Sequence, residues 1–177
     1  MTDLYRIGIK FFAEDSEAVR IKDFVPIFHS WIQQRAVPDH LLIDVADYAH
    51  VHNGPGTCLI THEANLYTDR VRQAFIATLE GAKRLEMEEK LAGRIKFKTD
   101  EVLFSIADRL NAPSTPETFK ALQPELQQFF AEAFGGEVAL RQVGTDETPF
   151  KVEIVSKQAP TLDGLLSRVS GTLVGRG

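Results

Sequence analysis

Leu41–Asp69 reads LLIDVADYAHVHNGPGTCLITHEANLYTD. Two apolar runs, Leu41–Ala46 and Thr57–His62, frame a polar segment that passes through Tyr48, His50 and His52 into Asn53-Gly54-Pro55-Gly56. The apolar residues of the first run do not alternate, which is the pattern of a central strand covered on both faces. About ten residues separate the runs, long for a hairpin turn and short for a helical crossover. The pair is therefore expected as adjacent antiparallel strands joined by a long loop.

On the N-terminal side, Leu4–Phe12 has strand character, with Tyr5, Ile7 and Ile9 alternating with Arg6, Gly8 and Lys10. Phe24–Gln34 has the spacing of a short helix, with Phe24, Phe28, Trp31 and Ile32 on one face. Pro26 then belongs in its first turn, where a missing N–H costs nothing. Ala36–His40 is a loop around Pro38. On the C-terminal side, Asp69–Leu91 carries Val71, Phe75, Leu79, Ala82 and Leu85 at helical spacing and ends at Gly93.

Arg94–Lys98 follows as a short strand. Thr99 then caps a helix with Val102, Leu103, Ile106 and Leu110 on its apolar side. Thr115-Pro116-Glu117 starts another helix, which Pro124 should stop or bend near Leu122–Gln123 before Leu126, Phe129, Phe130 and Phe134 resume it. Gly135-Gly136 closes it. Glu137–Val143 and Pro149–Val155 form a hairpin around Gly144–Glu147, and Thr161–Val169 a last helix. Strands early and late with helices between give an α+β fold, a mostly antiparallel sheet with helices packed on one face. A single domain over 1–177 is expected, with a frayed tail from about 170.

Composition narrows the function classes. The chain has 177 residues, 44% hydrophobic and 25% charged, with net charge -5, so it can bury a sizeable core unaided. Arg70, Arg72, Lys83 and Arg84 are interleaved with Glu80, Glu86, Glu88 and Glu89, so there is no basic stripe for nucleic acid. Cys58 is the one cysteine, which excludes an internal disulfide. No apolar run approaches a membrane span and the N-terminus lacks a signal pattern, so a cytoplasmic protein is expected.

All five histidines, His29, His40, His50, His52 and His62, fall in about a fifth of the chain, beside Asp44, Asp47, Glu63 and Asp69. Imidazole with carboxylate suits zinc, iron, nickel or manganese. His50 and His52 would supply two ligands from one extended segment and His62 a third from a neighbouring strand, leaving an open position for catalysis. Asp44 or Asp47 would support the metal, and Glu63 would act as general base on bound water. The rival account is a polar loop whose histidines bond the backbone. No H-E-x-x-H is present, because Ala64-Asn65-Leu66 follows His62-Glu63.

Asp44 interrupts an apolar strand, where a carboxylate needs a partner. It serves as ligand or histidine partner, or it ties down the loop. Asp47 fits a turn equally well. Gly54 and Gly56 belong to a tight turn whose N–H groups can also cradle an anion. His29 packs at the core edge near Trp31, Tyr48 packs or covers the loop, and Cys58 is a small buried hydrophobe.

The string LIDVADYAHVHNGPG followed by ITHEANLYTD resembles the signature of a family of uncharacterised bacterial proteins of similar length. The likeness extends through Thr99–Phe134. It implies a bacterial, cytosolic, single-domain protein and carries no activity with it.

Two functions follow as expectations. The first is a small metal-dependent hydrolase acting on a small molecule. The second is a non-catalytic ligand-binding or oligomeric module in which the Gly-Pro-Gly loop and its histidines recognise a small anion. A structural protein whose loop merely packs stands behind both. The phenylalanine-rich segment Phe119–Phe134 adds the expectation of a homodimer, since surplus apolar surface favours association.

Overall fold

The computed structural model describes residues 7–15, 17–34, 41–46, 57–62 and 70–171. The element order is β1 (Ile7–Ala13), α1 (Ile21–Gln33), β2 (Leu41–Ala46), β3 (Thr57–His62), α2 (Arg70–Glu86), a 3-10 turn (Glu89–Leu91), β4 (Phe97–Ile106), α3 (Pro116–Phe134), β5 (Val138–Val143), β6 (Phe150–Ser156) and α4 (Leu162–Gly171). The six strands form one sheet in the order β2-β3-β1-β4-β6-β5, and each pairing is antiparallel. The fold is α+β, as the element pattern predicts.

Alternation explains why one face is packed. Ile7, Ile9 and Phe11 of β1, Val102, Phe104 and Ile106 of β4, and Phe150, Val152 and Ile154 of β6 are all 2% exposed or less and share one core. The helices cover that face. Phe75 of α2 is fully buried between Phe11 of β1, at 5.6 Å between ring centroids, and Phe130 of α3, also at 5.6 Å. Leu165 and Val169 of α4 and Phe24, Ile27 and Trp31 of α1 join the same cluster. Large aromatic side chains dominate such a core because each removes much apolar area from water.

Several expectations meet corrections. β2 and β3 pair as predicted, Leu41 opposite His62 and Ala46 opposite Thr57. Yet β2 is the outermost strand of the described sheet rather than a central one. Its unbroken apolar run therefore does not reflect a strand on either side. In α1, Ile27 is buried and Ile32 is 66% exposed, so the inward stripe is Phe24, Ile27 and Trp31. Pro26 lies beyond the first turn of a helix that begins at Ile21, at an exposed position.

The helix expected from Thr99 is absent. Phe97–Ile106 is a single strand. Its register against β1 moves from Phe11 opposite Val102 to Ala13 opposite Phe97, a step of two residues on β1 against five on β4. The extra residues form a bulge around Thr99-Asp100-Glu101. Leu110, counted as the end of an apolar helical face, is 95% exposed.

Helix α3 begins as expected, with Thr115 Oγ accepting from the Thr118 N–H at 3.3 Å and Pro116 in the first turn. It continues through Pro124 instead of stopping at Leu122–Gln123. Pro124 is exposed, so water can satisfy the carbonyl that loses its donor. Gly135 ends the helix at φ 73. The β5–β6 hairpin and α4 lie where the sequence places them, within a residue or two.

Candidate functional site

The β2–β3 pair is the frame of the histidine-rich stretch. Of the site residues named from the sequence, Asp44 and His62 lie in described strands, Asp44 opposite Leu59 and His62 opposite Leu41. Asp47, His50, His52, Gly54, Gly56 and Glu63 lie outside the described residues, as do Tyr48 and His40. Cys58 is in β3, opposite Val45. His29 is exposed on α1 rather than packed at the core edge.

The register bears on the three-histidine arrangement. Ala46 and Thr57 pair at one end of the β2–β3 unit, and residues 47–56 connect them there. His62 pairs with Leu41 at the opposite end. Five residues of strand place Thr57 and His62 roughly 17 Å apart. His52 is five residues from Thr57, a reach of at most about 18 Å when fully extended. A shared metal thus requires the connecting segment to turn back along β3 toward its far end. Among the described residues, no group of three or more His, Cys, Asp or Glu side chains is placed to hold a metal.

A second constellation lies on the sheet face away from the described helices. On β1, Lys10 and Phe12 alternate with the core residues Ile9 and Phe11 and so occupy that other face. The register continues it in two rows. Lys10 is opposite Leu103, Leu103 opposite Glu153, and Glu153 opposite Arg141. Gly8 is opposite Ser105, and Ser105 opposite Lys151. Four described helices contribute to the core on the first face, so alternation alone would leave Lys10 in water. It is instead 3% exposed, and Leu103 beside it is 5% exposed.

Burial governs the electrostatics of this row. The ammonium of Lys10 lies 5.0 Å from the centroid of the Phe12 ring, an aromatic face that attracts a cation. Removal from water pulls its pKa from 10.5 down to about 8. The charge of Lys151 pushes the same way, and the Glu101 carboxylate opposes. Burial lowers Lys151 as well. Glu101 lies 3.7 Å from Lys98 and is shared between cations. Glu153 is engaged by Arg141 through Nη2 at 2.6 Å and Nε at 2.9 Å. Ser105 Oγ donates to the Gly8 carbonyl at 3.3 Å.

Sequence reasoning passed over Lys10. The signal was present: a lysine inside Ile7-Gly8-Ile9-Lys10-Phe11-Phe12, where an outward lysine has apolar neighbours on both sides. No helix among the described residues is long and apolar enough to cross a membrane. Comparison with family models, with curated proteins and with solved structures gives no match.

Proposed function

We propose that the protein is a non-catalytic ligand-binding module that presents the segment between β2 and β3, with His50, His52, Gly54 and Gly56, to a small molecule. The antiparallel pairing of β2 with β3 carries this reading. A polar segment held at both ends by adjacent strands is the arrangement in which binding residues are commonly mounted on a scaffold. The metal-dependent hydrolase, with His50, His52 and His62 as ligands for zinc, iron, nickel or manganese, Asp44 and Asp47 in support and Glu63 as base, is the lesser reading. The register that separates His62 from the loop end of β3 weighs against it.

Metal analysis of protein purified without a polyhistidine tag, followed by thermal shift against a metabolite panel, separates the two. The binding reading expects substoichiometric metal and a ligand-dependent rise in melting temperature that His50→Ala/His52→Ala removes. Stoichiometric metal lost in that double variant would overturn it in favour of the hydrolase. The bacterial, cytoplasmic setting implied by the family resemblance belongs to the same reading. Self-association has less behind it than the sequence suggests, because Phe130 and Phe134 are fully buried in the protein's own core.

A further inference from the structure

We infer that Lys10 and Asp44 form a charge pair across β3 that locks β2 in register and so fixes the frame of the histidine-rich segment. The inference goes beyond the loop reading, because it stands whatever that segment binds.

Three observations carry it. First, the two residues share a row. Ile9, Ile60 and Ile43 are paired in line across β1, β3 and β2. One residue along each strand, the next row is Lys10, Leu59 and Asp44, with Leu59 directly opposite Asp44. Ile9 lies in the core, so alternation puts this row on the face away from the described helices. Strand spacing sets the Cα atoms of Lys10 and Asp44 about 10 Å apart, a gap within the joint reach of a lysine stem and a short carboxylate arm.

Second, each end calls for the opposite charge. Lys10 is 3% exposed in the middle of the sheet, and an enclosed ammonium needs an acid beside it. Two described carboxylates near this row also serve other cations: Glu101 is 3.7 Å from Lys98, and Glu153 is held by Arg141. Asp44 is the acid of the row on the side of β3, and it interrupts an otherwise apolar strand.

Third, hydrophobicity leaves the register of β2 open. Leu41, Leu42, Ile43, Val45 and Ala46 are apolar on both faces, so a one-residue slip exchanges one apolar set for another. Asp44 alone tells the faces apart, since a slip would carry its carboxylate to the core face, away from Lys10. Burial still holds Lys10 at about 8, well below an ordinary lysine. The pair therefore adds little stability, and what it contributes is one pairing out of two.

The test uses the full chain and nuclear magnetic resonance, following the Lys10 ammonium nitrogen and the Asp44 carboxyl carbon through pH. Asp44→Asn should lower the Lys10 midpoint by at least about one pH unit, because a charge that favours the protonated form is gone. Lys10→Met should raise the Asp44 midpoint, and Lys10→Arg, which keeps the charge, should not. Asp15→Asn, at an exposed position, should move neither. Substitutions of Lys10 risk misfolding, so Asp44→Asn decides the pair: an unmoved Lys10 midpoint would overturn it. Lys10→Met/Asp44→Leu removes both charges and should fold, with a second set of β2 amide signals from slipped pairing while β4 and β6 keep one. A single wild-type register in that variant would overturn the lock. So would loss of its fold, which would make the pair essential to stability rather than to register. Neither readout uses a ligand, so the loop reading and this one fail separately.

Discussion

Two buried residues, Phe75 on α2 and Lys10 on β1, show how far one side chain can matter in this fold. Phe75 packs against four other rings, with centroids 5.6 Å from Phe11, 5.6 Å from Phe130, 5.7 Å from Phe129 and 6.4 Å from Phe134. Phe75→Ala would leave a cavity those rings cannot fill and should cost about 3–5 kcal/mol, read from urea unfolding. A loss below about 1 kcal/mol would mean that the core collapses around the gap. Lys10 makes a different kind of prediction. Its proton leaves the unfolded chain near 10.5 and the folded chain near 8. Between those values the unfolded state holds a proton that the native state has released, so stability rises with pH there. The unfavourable contribution is fully present below about pH 8 and disappears toward 10.5. Any stability advantage of Lys10→Met over wild type should therefore shrink across that window, and a difference flat with pH from 7 to 10.5 would refute the lowered pKa. Phe75 was legible from its helical spacing. Lys10 was not, because alternation marks it as outward, and outward positions are assumed to be wet.

At the level of elements, local signals were read best where one residue fixes a backbone state. Thr115-Pro116 starts α3 and Gly135 ends it, both as chemistry dictates. Gly135 has φ 73, and a Cβ there would lie 2.7 Å from Cζ of Arg168, whose Nη1 donates to the Phe134 carbonyl at 2.7 Å. Gly135→Ala therefore meets both backbone strain and the loss of a capping contact. It should destabilise by at least about 1 kcal/mol, visible as a lower urea midpoint at unchanged slope. Pro124 shows the opposite lesson, because tertiary packing of Leu122, Leu126, Phe130 and Phe134 carries the helix across a residue that disfavours it. Pro124→Ala should stabilise by about 1–3 kcal/mol, since it restores an N–H donor and removes a steric clash. An unchanged midpoint would show that the proline's cost is already relieved by a local bend. β4 was misread because its bulge shifts the phase of alternation. Phe97 and then Val102, Phe104 and Ile106 face the core in different parity, and Leu103 is buried on the other face. The resulting 102, 103, 106 spacing imitates a helix.

Across the whole molecule, the sheet order places the first strand of the chain in the middle. β1 and β4 pair at the centre, while the β2–β3 and β5–β6 pairs flank them as units. The sequence discloses each flanking pair because its strands are neighbours in the chain. It does not disclose that β1 lies between β3 and β4, since that depends on contacts between residues 7–13 and 97–106 that no local pattern encodes. The same limit applies to side-chain clusters. The histidine stretch is conspicuous as a string, whereas Lys10 and Lys151 come together only through pairing across three strands. The topology also sets an order of local stability. The amides of β1 and β4 bond to strands on both sides beneath α2, whose Phe75 rests on Phe11. Those of β2 and β5 lie at the two outer positions of the described sheet. Opening an outer strand exposes one ladder, and opening a central strand breaks two along with the core that rests on them. Native-state hydrogen exchange should therefore find the slowest amides at Ile9, Phe11, Val102 and Phe104, exchanging only by global unfolding. The outward-directed amides of β2 and β5 should exchange through smaller openings. Protection in β2 equal to that in β1 would mean that a further partner covers the β2 edge in solution.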